Sequence, residues 1–306
     1  MAEWHGITDL PGVVMDGRVA AQAIRFRIKE QVRALKQKNV EPNLVTMLVG
    51  DNPASRTYLK NKHAACMDVG IKSRNMELKA ETPQCELEET IKQLNEDQTV
   101  TGILLQLPLP TGLDEAHAVS TISAQKDVDG LNPDNLGQLF QKEPRLVPCT
   151  PKGVVVLLNY YGVKAVGQHA VVVNRSRLVG RPLCQLLLNH DATVTVCHSK
   201  TRGLREMCRQ GDILITGIGR RSQFTVGADF VKPGAAVVDV GISSVDGRLM
   251  GDVDFNSVLQ VASYVSPVPG GVGPMTIAML LYNTLLAACL QRRVELEFNP
   301  EELGPQ

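Results

Sequence analysis

The sequence predicts an α/β protein of two domains, the first a βα layered domain and the second built on a parallel sheet with helices on both faces. Three observations predict it. The chain has 306 residues, a length that suits two domains. Short apolar runs alternate with amphipathic helical stripes, the pattern of βαβ units. A proline-marked segment, Val147-Pro-Cys-Thr-Pro151, separates two such series, which places the boundary near residue 150.

The elements follow in order. Residues 19–37 carry Ile24, Ile28, Val32 and Leu35 on one face with Lys and Arg between them, an amphipathic helix. Leu44 to Val49 is an apolar run ending at Gly50, the form of a buried strand. Ser55 is the expected cap of a helix ending near Gly70. Leu87, Ile91 and Leu94 stripe another helix. Gly102 to Leu105 is a second buried strand, stopped by the prolines of Gln106-Leu-Pro-Leu-Pro110. In the second half His169 to Val173 reads as a strand, Pro182 to Asn189 as a helix and Thr193 to Cys197 as a strand, followed by strands Ile213 to Thr216 and Ala235 to Val240. A last helix, Met275 to Gln291, is able to pack on either domain.

Composition narrows the function. Hydrophobic residues make up 43% and charged residues 21%, and 32 basic residues balance 32 acidic ones. With no net field, neither nucleic acid nor an acidic membrane is an expected partner. The seven cysteines are widely spaced with no CxxC, so reduced thiols are expected rather than a disulfide framework or a metal site. Apolar runs fall short of the roughly 20 residues that span a bilayer. The first residues carry Glu3 and Asp9 and no Arg or Lys before Arg18, a poor secretory or mitochondrial signal. A cytoplasmic location is therefore expected, with the mitochondrion left open.

The strand 169–173 runs into Asn174-Arg-Ser-Arg-Leu-Val-Gly180, with Pro182 suited to the first turn of a helix. Such a turn aims backbone N–H groups at an anion. It lacks the GxGxxG fingerprint, so an ordinary βα loop and a dinucleotide turn both remain open. Asn174 stands where glycine usually makes the turn, and asparagine tolerates positive φ. The next strand ends Cys197-His-Ser-Lys-Thr201 without the acid that binds ribose hydroxyls in NAD-selective sites. Arg175, Ser199 and Lys200 there suit a 2′-phosphate, which favours NADP; a solvated basic loop is the plainer alternative. Gly217-Ile218-Gly219 and Asp239-Val-Gly-Ile242 are strand ends that let backbone approach a cofactor, or plain turns.

The first half holds polar candidates. Tyr58 and Lys62, four apart, share a helix face, which by itself fits a half-exposed surface. Gln106 directly follows a buried strand, where ligands of open α/β sheets bind. Lys126-Asp-Val-Asp129-Gly130 is a turn signal, yet an Asp carboxylate also accepts paired N–H donors of a flat heterocycle. Pro267-Val-Pro-Gly-Gly-Val-Gly-Pro274 brings bare backbone against a ligand, or is a stiff loop before the last helix.

Taken together, these segments resemble the bifunctional methylenetetrahydrofolate dehydrogenase/cyclohydrolase family. The matching pieces are Val49-Gly-Asp-Asn-Pro-Ala-Ser-Arg-Thr-Tyr58-Leu-Lys-Asn-Lys62, Gly102-Ile-Leu-Leu-Gln106-Leu-Pro-Leu-Pro110, Lys126-Asp-Val-Asp-Gly130, Pro148-Cys-Thr-Pro-Lys-Gly153, Arg175-Ser-Arg-Leu-Val-Gly-Arg-Pro182, Cys197-His-Ser199, Gly251-Asp-Val253 and Pro267 to Thr276. They occur in the family's order. The resemblance implies an N-terminal α/β folate domain (1–150, joined by a returning 276–306) and a Rossmann-like, parallel-sheet NADP domain (151–275). It implies oxidation of 5,10-methylenetetrahydrofolate with NADP, then hydrolysis to 10-formyltetrahydrofolate, in a homodimer. Lys62 would be the central catalytic residue, with Tyr58 and Gln106 beside it. Tyr58, Asp129, Pro269, Gly270 and Gly271 would bind folate. Asn174, Arg175, Ser176, Ser199, Gly217, Ile218, Gly219, Ile242 and Thr276 would bind the cofactor, and no metal is implied. Asn174 departs from the family's glycine, and residues 1–13 have no family counterpart to which a role is assigned. Three other readings stay open: an NAD-preferring dehydrogenase, a cyclohydrolase that has lost hydride transfer, and a silent Rossmann-type regulator.

Overall fold

The computed structural model describes residues 12–304, so most of the N-terminal extension lies outside the described residues. The chain opens with β1 (Val13–Val14) and α1 (Gly17–Gln37). Helix α1 starts two residues earlier than its stripe alone indicates, because the Asp16 carboxylate caps it, accepting the Arg18 backbone N–H at 2.8 Å. Its buried face is Ala20, Ala21, Ile24, Ile28, Val32 and Leu35. Then come β2 (Asn43–Val49), α2 (Pro53–Val69), β3 (Lys72–Leu78), α3 (Gln84–Glu96) and β4 (Gly102–Leu105). These three strands form a parallel sheet in the order β3-β2-β4. Helix α2 begins before Ser55. Asn52 rather than Ser55 is its cap: the Asn52 side-chain oxygen accepts the Ser55 N–H at 3.1 Å, the role short polar side chains play at helix starts.

Helices α4 (Glu115–Thr121), α5 (Pro133–Phe140) and α6 (Cys149–Tyr160) follow. The segment that reads as a proline-marked boundary is the start of α6, which is buried at Cys149 and from Pro151 through Leu158. The second half contains β5 (His169–Val173), α7 (Gly180–Asn189), β6 (Thr193–Cys197), α8 (Leu204–Cys208), β7 (Ile213–Thr216) and β8 (Ala236–Asp239). A hairpin, β9 (Ser243–Val245) and β10 (Arg248–Met250), is closed by Asp246 and Gly247, both at positive φ. Then come α9 (Phe255–Leu259), β11 (Tyr264–Val265) and α10 (Val272–Arg292).

The second sheet has six parallel strands in the order β1-β11-β8-β7-β5-β6. Its edge strand β1 comes from the beginning of the chain. At the other end of the chain, α10 packs along α6 and α1. It is apolar nearly all round because it is enclosed: Met275, Met279, Leu281 and Leu285 are fully buried. Each such side chain contributes about 1.5–3 kcal/mol. Helix α10 is long and apolar enough to cross a membrane, but most of it is core. Asn283, buried on this helix, donates to the carbonyls of Val128 (2.9 Å) and Val147 (2.8 Å). It thereby ties α10 to the loop before α5 and to the entry of α6.

Candidate active site

The strands of both sheets end around one crevice of about 1360 Å³. The first sheet and its helices contribute Tyr58, Lys62, Gln106 and Asp129. The second contributes Asp239, Gly241 and Ile242. The loop Pro267–Pro274 and the first turns of α10 close it. Tyr58 is 41% exposed at this lining, and Lys62 stands one helical turn further along α2.

Lys62 Nζ donates to Gln106 Oε1 at 2.9 Å, and Gln106 in turn donates its amide N–H to the Leu107 carbonyl at 2.7 Å. The glutamine is thus oriented by backbone, and its oxygen is the fixed acceptor for the ammonium. Burial holds the Lys62 pKa below its usual value, and the Asp129 carboxylate opposes that shift. Burial raises the Asp129 carboxyl, with Lys62 and the Cys149 thiol pulling it back down. Burial beside Asp129 pushes the Cys149 thiol well up; its Sγ donates to the Val128 carbonyl at 3.2 Å.

Only one polar side chain of the turn 126–130 is left for the crevice. Lys126 Nζ donates to the carbonyls of Leu94, Asn95 and Asp97 (3.0, 2.7 and 2.8 Å), closing the C-terminal end of α3, where a cation is favoured. Asp127 accepts the N–H groups of Gly130 and Asn132 and the Asn135 amide. Burial nevertheless pushes its pKa up to about 6. These two residues build the turn, and Asp129 is what the turn presents. Across the crevice, Thr276 Oγ1 lies 3.1 Å from Thr150 Oγ1, linking α10 to α6. Pro269, Gly270 and Gly271 line the wall between them.

The remaining candidates sit beside this crevice, at the ends of β5, β6 and β7. Arg175, Ser176 and Ser199 are exposed there, and their neighbours Leu178 and Val179 reach the crevice wall. Asn174 does not adopt the positive φ expected of a glycine substitute. Its side chain does other work: Oδ1 accepts the Ser176 N–H at 2.6 Å, and Nδ2 donates to the Gly217 carbonyl. The amide therefore bridges the turns after β5 and β7, and a Cβ at Gly217 would come within 2.8 Å of it. The Ile218 and Gly219 N–H groups are likewise not free to meet a ligand, since both donate to Asp252.

Several lining residues escape a motif-based reading. Arg18, Gln22, Arg25 and Lys29 of α1 line the crevice; their 4, 3 and 4 spacing marks a polar face beside the buried stripe. Cys149 and Thr150 hide in the proline segment. Asp239 is legible only as a member of a strand-end motif.

The chemistry available is specific. A lysine with depressed pKa, held by an amide oxygen, takes a proton from water once it is neutral. A carboxylate a few residues from it in space accepts paired N–H donors of a heterocycle. A flat ring would lie between these groups and the ends of a Rossmann-like sheet.

Comparison with known proteins points to one family. Residues 15–129 match the family model described as tetrahydrofolate dehydrogenase/cyclohydrolase, catalytic domain, and residues 148–292 match the NAD(P)-binding domain of the same name. The bifunctional protein FolD of Nitrosopumilus maritimus is 50% identical over 285 residues, covering 93% of this chain and 99% of that one. The crystal structure of the bifunctional FolD methylenetetrahydrofolate dehydrogenase/cyclohydrolase of Campylobacter jejuni superposes with a TM-score of 0.88 at 45% identity, covering 92% of this chain and 99% of the other. The Trypanosoma brucei enzyme, solved in complex with NADP cofactor and inhibitor, gives 0.88 at 40% identity, covering 93% and 100%.

Proposed function

Because this chain belongs to the tetrahydrofolate dehydrogenase/cyclohydrolase family, we infer that its crevice carries out two consecutive reactions on one folate. It oxidises 5,10-methylenetetrahydrofolate to the 5,10-methenyl cation with NADP, and hydrolyses that cation to 10-formyltetrahydrofolate. The observation that carries the site assignment is the Lys62–Gln106 hydrogen bond of 2.9 Å, opposite Asp129 in the crevice shared by both sheets.

Asp129 is the group we assign to the pterin edge, and Tyr58 stacks or bonds at the mouth. NADP, when bound, supplies the hydride acceptor. The donor set fits it: the end of β6 offers Ser199 and Lys200 with no acid, and Arg175 stands in the neighbouring turn, a combination that pairs with a 2′-phosphate. Since the folate nitrogens stabilise the cation, the first reaction needs chiefly the two carbons held in register. Pro269, Gly270, Gly271, Ile242 and Thr276 form that restraint.

The second reaction moves protons. As water bonds to the methenyl carbon, the neutral Lys62 amine takes one of its protons. The ring C–N5 bond then breaks as the remaining hydroxyl proton passes to N5, and the proton on Lys62 is released to solvent. Gln106 keeps the amine on the side of the attacking water.

Strand β6 is a sheet edge with Val196 43% and the nearby Leu188 of α7 55% exposed. Such an edge favours pairing with a second copy, and we assign a homodimer working in the cytoplasm. The test is to supply 5,10-methylenetetrahydrofolate with NADP or NAD and follow reduced cofactor and formyl product together. Lys62→Ala is expected to abolish hydrolysis while NADP binding persists; retained hydrolysis would remove Lys62 from the mechanism.

A further inference from the structure

Two carboxylates with no part in this chemistry lie buried between the loops that follow β7 and β8. Asp252 has no exposed surface. Its two oxygens accept the backbone N–H groups of Ile218 and Gly219, the latter at 2.9 Å. Asp239, at the end of β8, accepts the N–H groups of Gly241 (2.9 Å) and Val253 (2.8 Å), and its own N–H donates to Ser266 Oγ at 2.8 Å.

The two are fitted to each other's loops. A Cβ at Gly241 would lie 2.2 Å from the carboxyl carbon of Asp252, and one at Gly251 would lie 2.0 Å from Asp239 Oδ2. Neither glycine has positive φ, so it is room for a carboxylate, not backbone conformation, that requires glycine there. Burying a carboxylate costs several kcal/mol unless hydrogen bonds satisfy it. Each of these accepts two backbone N–H groups. What the arrangement yields is a loop, Gly217–Gly219, whose position is set from behind.

That loop stands on one side of the switch point between β5 and β7, where a dinucleotide crosses an open α/β sheet. The phosphorylated ribose belongs on the β5–β6 side, at Arg175 and Ser199. The nicotinamide end then lies towards β7 and β8, whose residues Asp239, Gly241 and Ile242 line the crevice holding Lys62. We infer that Asp252, braced by Asp239, is a positioning residue of the dehydrogenase reaction: it fixes the Gly217–Gly219 loop as the wall for the nicotinamide end of NADP, and it plays no part in hydrolysis. The inference rests on the NADP placement proposed above.

The experiment compares Asp252→Asn with the unaltered enzyme in both reactions. The asparagine keeps one acceptor and turns an amide N–H towards a backbone N–H. The expected result is a fall of about 10–100-fold in dehydrogenase kcat/KM for NADP, the loss of one charge-assisted hydrogen bond. Hydrolysis of preformed 5,10-methenyltetrahydrofolate should be unchanged. Adenosine 2′,5′-bisphosphate, which lacks the nicotinamide half, should bind as before while NADP binds more weakly. Asp252→Ser, which keeps an oxygen acceptor but is too short to reach both N–H groups, should give the same split and serves where the asparagine variant does not fold. Equal losses in both reactions, an equal loss for the bisphosphate, or no loss at all would overturn the inference. An unaltered enzyme that forms no NADPH would instead overturn the NADP reading beneath it.

Discussion

Replacing Gln106 by glutamate keeps the side chain's shape and puts a charge 2.9 Å from Lys62 Nζ. At an effective dielectric constant of about 20, unit charges at that separation attract by about 6 kcal/mol. Desolvating the new carboxylate takes back much of this, and opposite charges at such range move a pKa by about 1–3 units. The sign is fixed by which form the carboxylate favours. Burial holds the Lys62 pKa below its usual value, and a neighbouring anion stabilises the ammonium and moves the pKa back up. Only the neutral amine takes a proton from water, so the acid limb of the hydrolysis profile should rise by about 1–3 pH units. At neutral pH the variant should lose about 10–1000-fold in rate and recover in alkali. The assay follows the decay of 5,10-methenyltetrahydrofolate absorbance under kcat/KM conditions, with the uncatalysed rate subtracted at each pH. A variant slowed by one factor at every pH, or one whose acid limb coincides with that of the unaltered enzyme, would refute the account of Lys62 as the base.

Asp129→Asn should weaken folate binding by about 1.5–3 kcal/mol, the worth of a charge-assisted contact; an unchanged folate KM rejects the assignment. Arg175→Ala should raise the KM for NADP far more than that for NAD, and equal losses for the two cofactors would mean that Arg175 does not read the phosphate. Asn283→Ala removes the donor shared by the Val128 and Val147 carbonyls and should cost about 1–3 kcal/mol of unfolding free energy, since the buried Val147 carbonyl is left unpaired while Val128 keeps the Cys149 thiol. Denaturant titration measures it, and a midpoint unchanged within error would mean water replaces the amide.

The central strands are legible in the sequence because a parallel sheet covered on both faces needs continuous apolar runs; β2, β4, β5 and β7 are buried almost throughout. Helices α1 and α3 are legible from their stripes. Strand β3 is not, because an edge strand reading Lys-Ser-Arg-Asn-Met-Glu-Leu is exposed or half-exposed along its length and has no apolar run. Helix α6 is hidden for the opposite reason: it is buried on all sides and so has no stripe, and its first residues look like a linker. Spacing puts Tyr58 and Lys62 on one helix face, but by itself that fits a half-exposed surface, and it is the family resemblance that singles them out. The resemblance picks Asp129 out of the turn, but the reason that Lys126 and Asp127 are not alternatives lies in their partners within the turn and at the end of α3. Asn174 illustrates the same limit. Its residue type suggested a backbone conformation, whereas its amide is used as a bridge to a strand distant in the chain.

The crossing of the chain ends has a consequence for how such a protein can change over evolutionary time. The first strand is a rib of the cofactor sheet, and the last helix is the spine of the opposite lobe. A single recombination junction in the middle of the gene would therefore give a hybrid in which each lobe keeps one piece from the wrong parent. Exchanging one lobe cleanly for a relative's takes three junctions, two around its internal segment and one at its terminal piece, so the pair of lobes is more readily inherited as a unit than traded as parts.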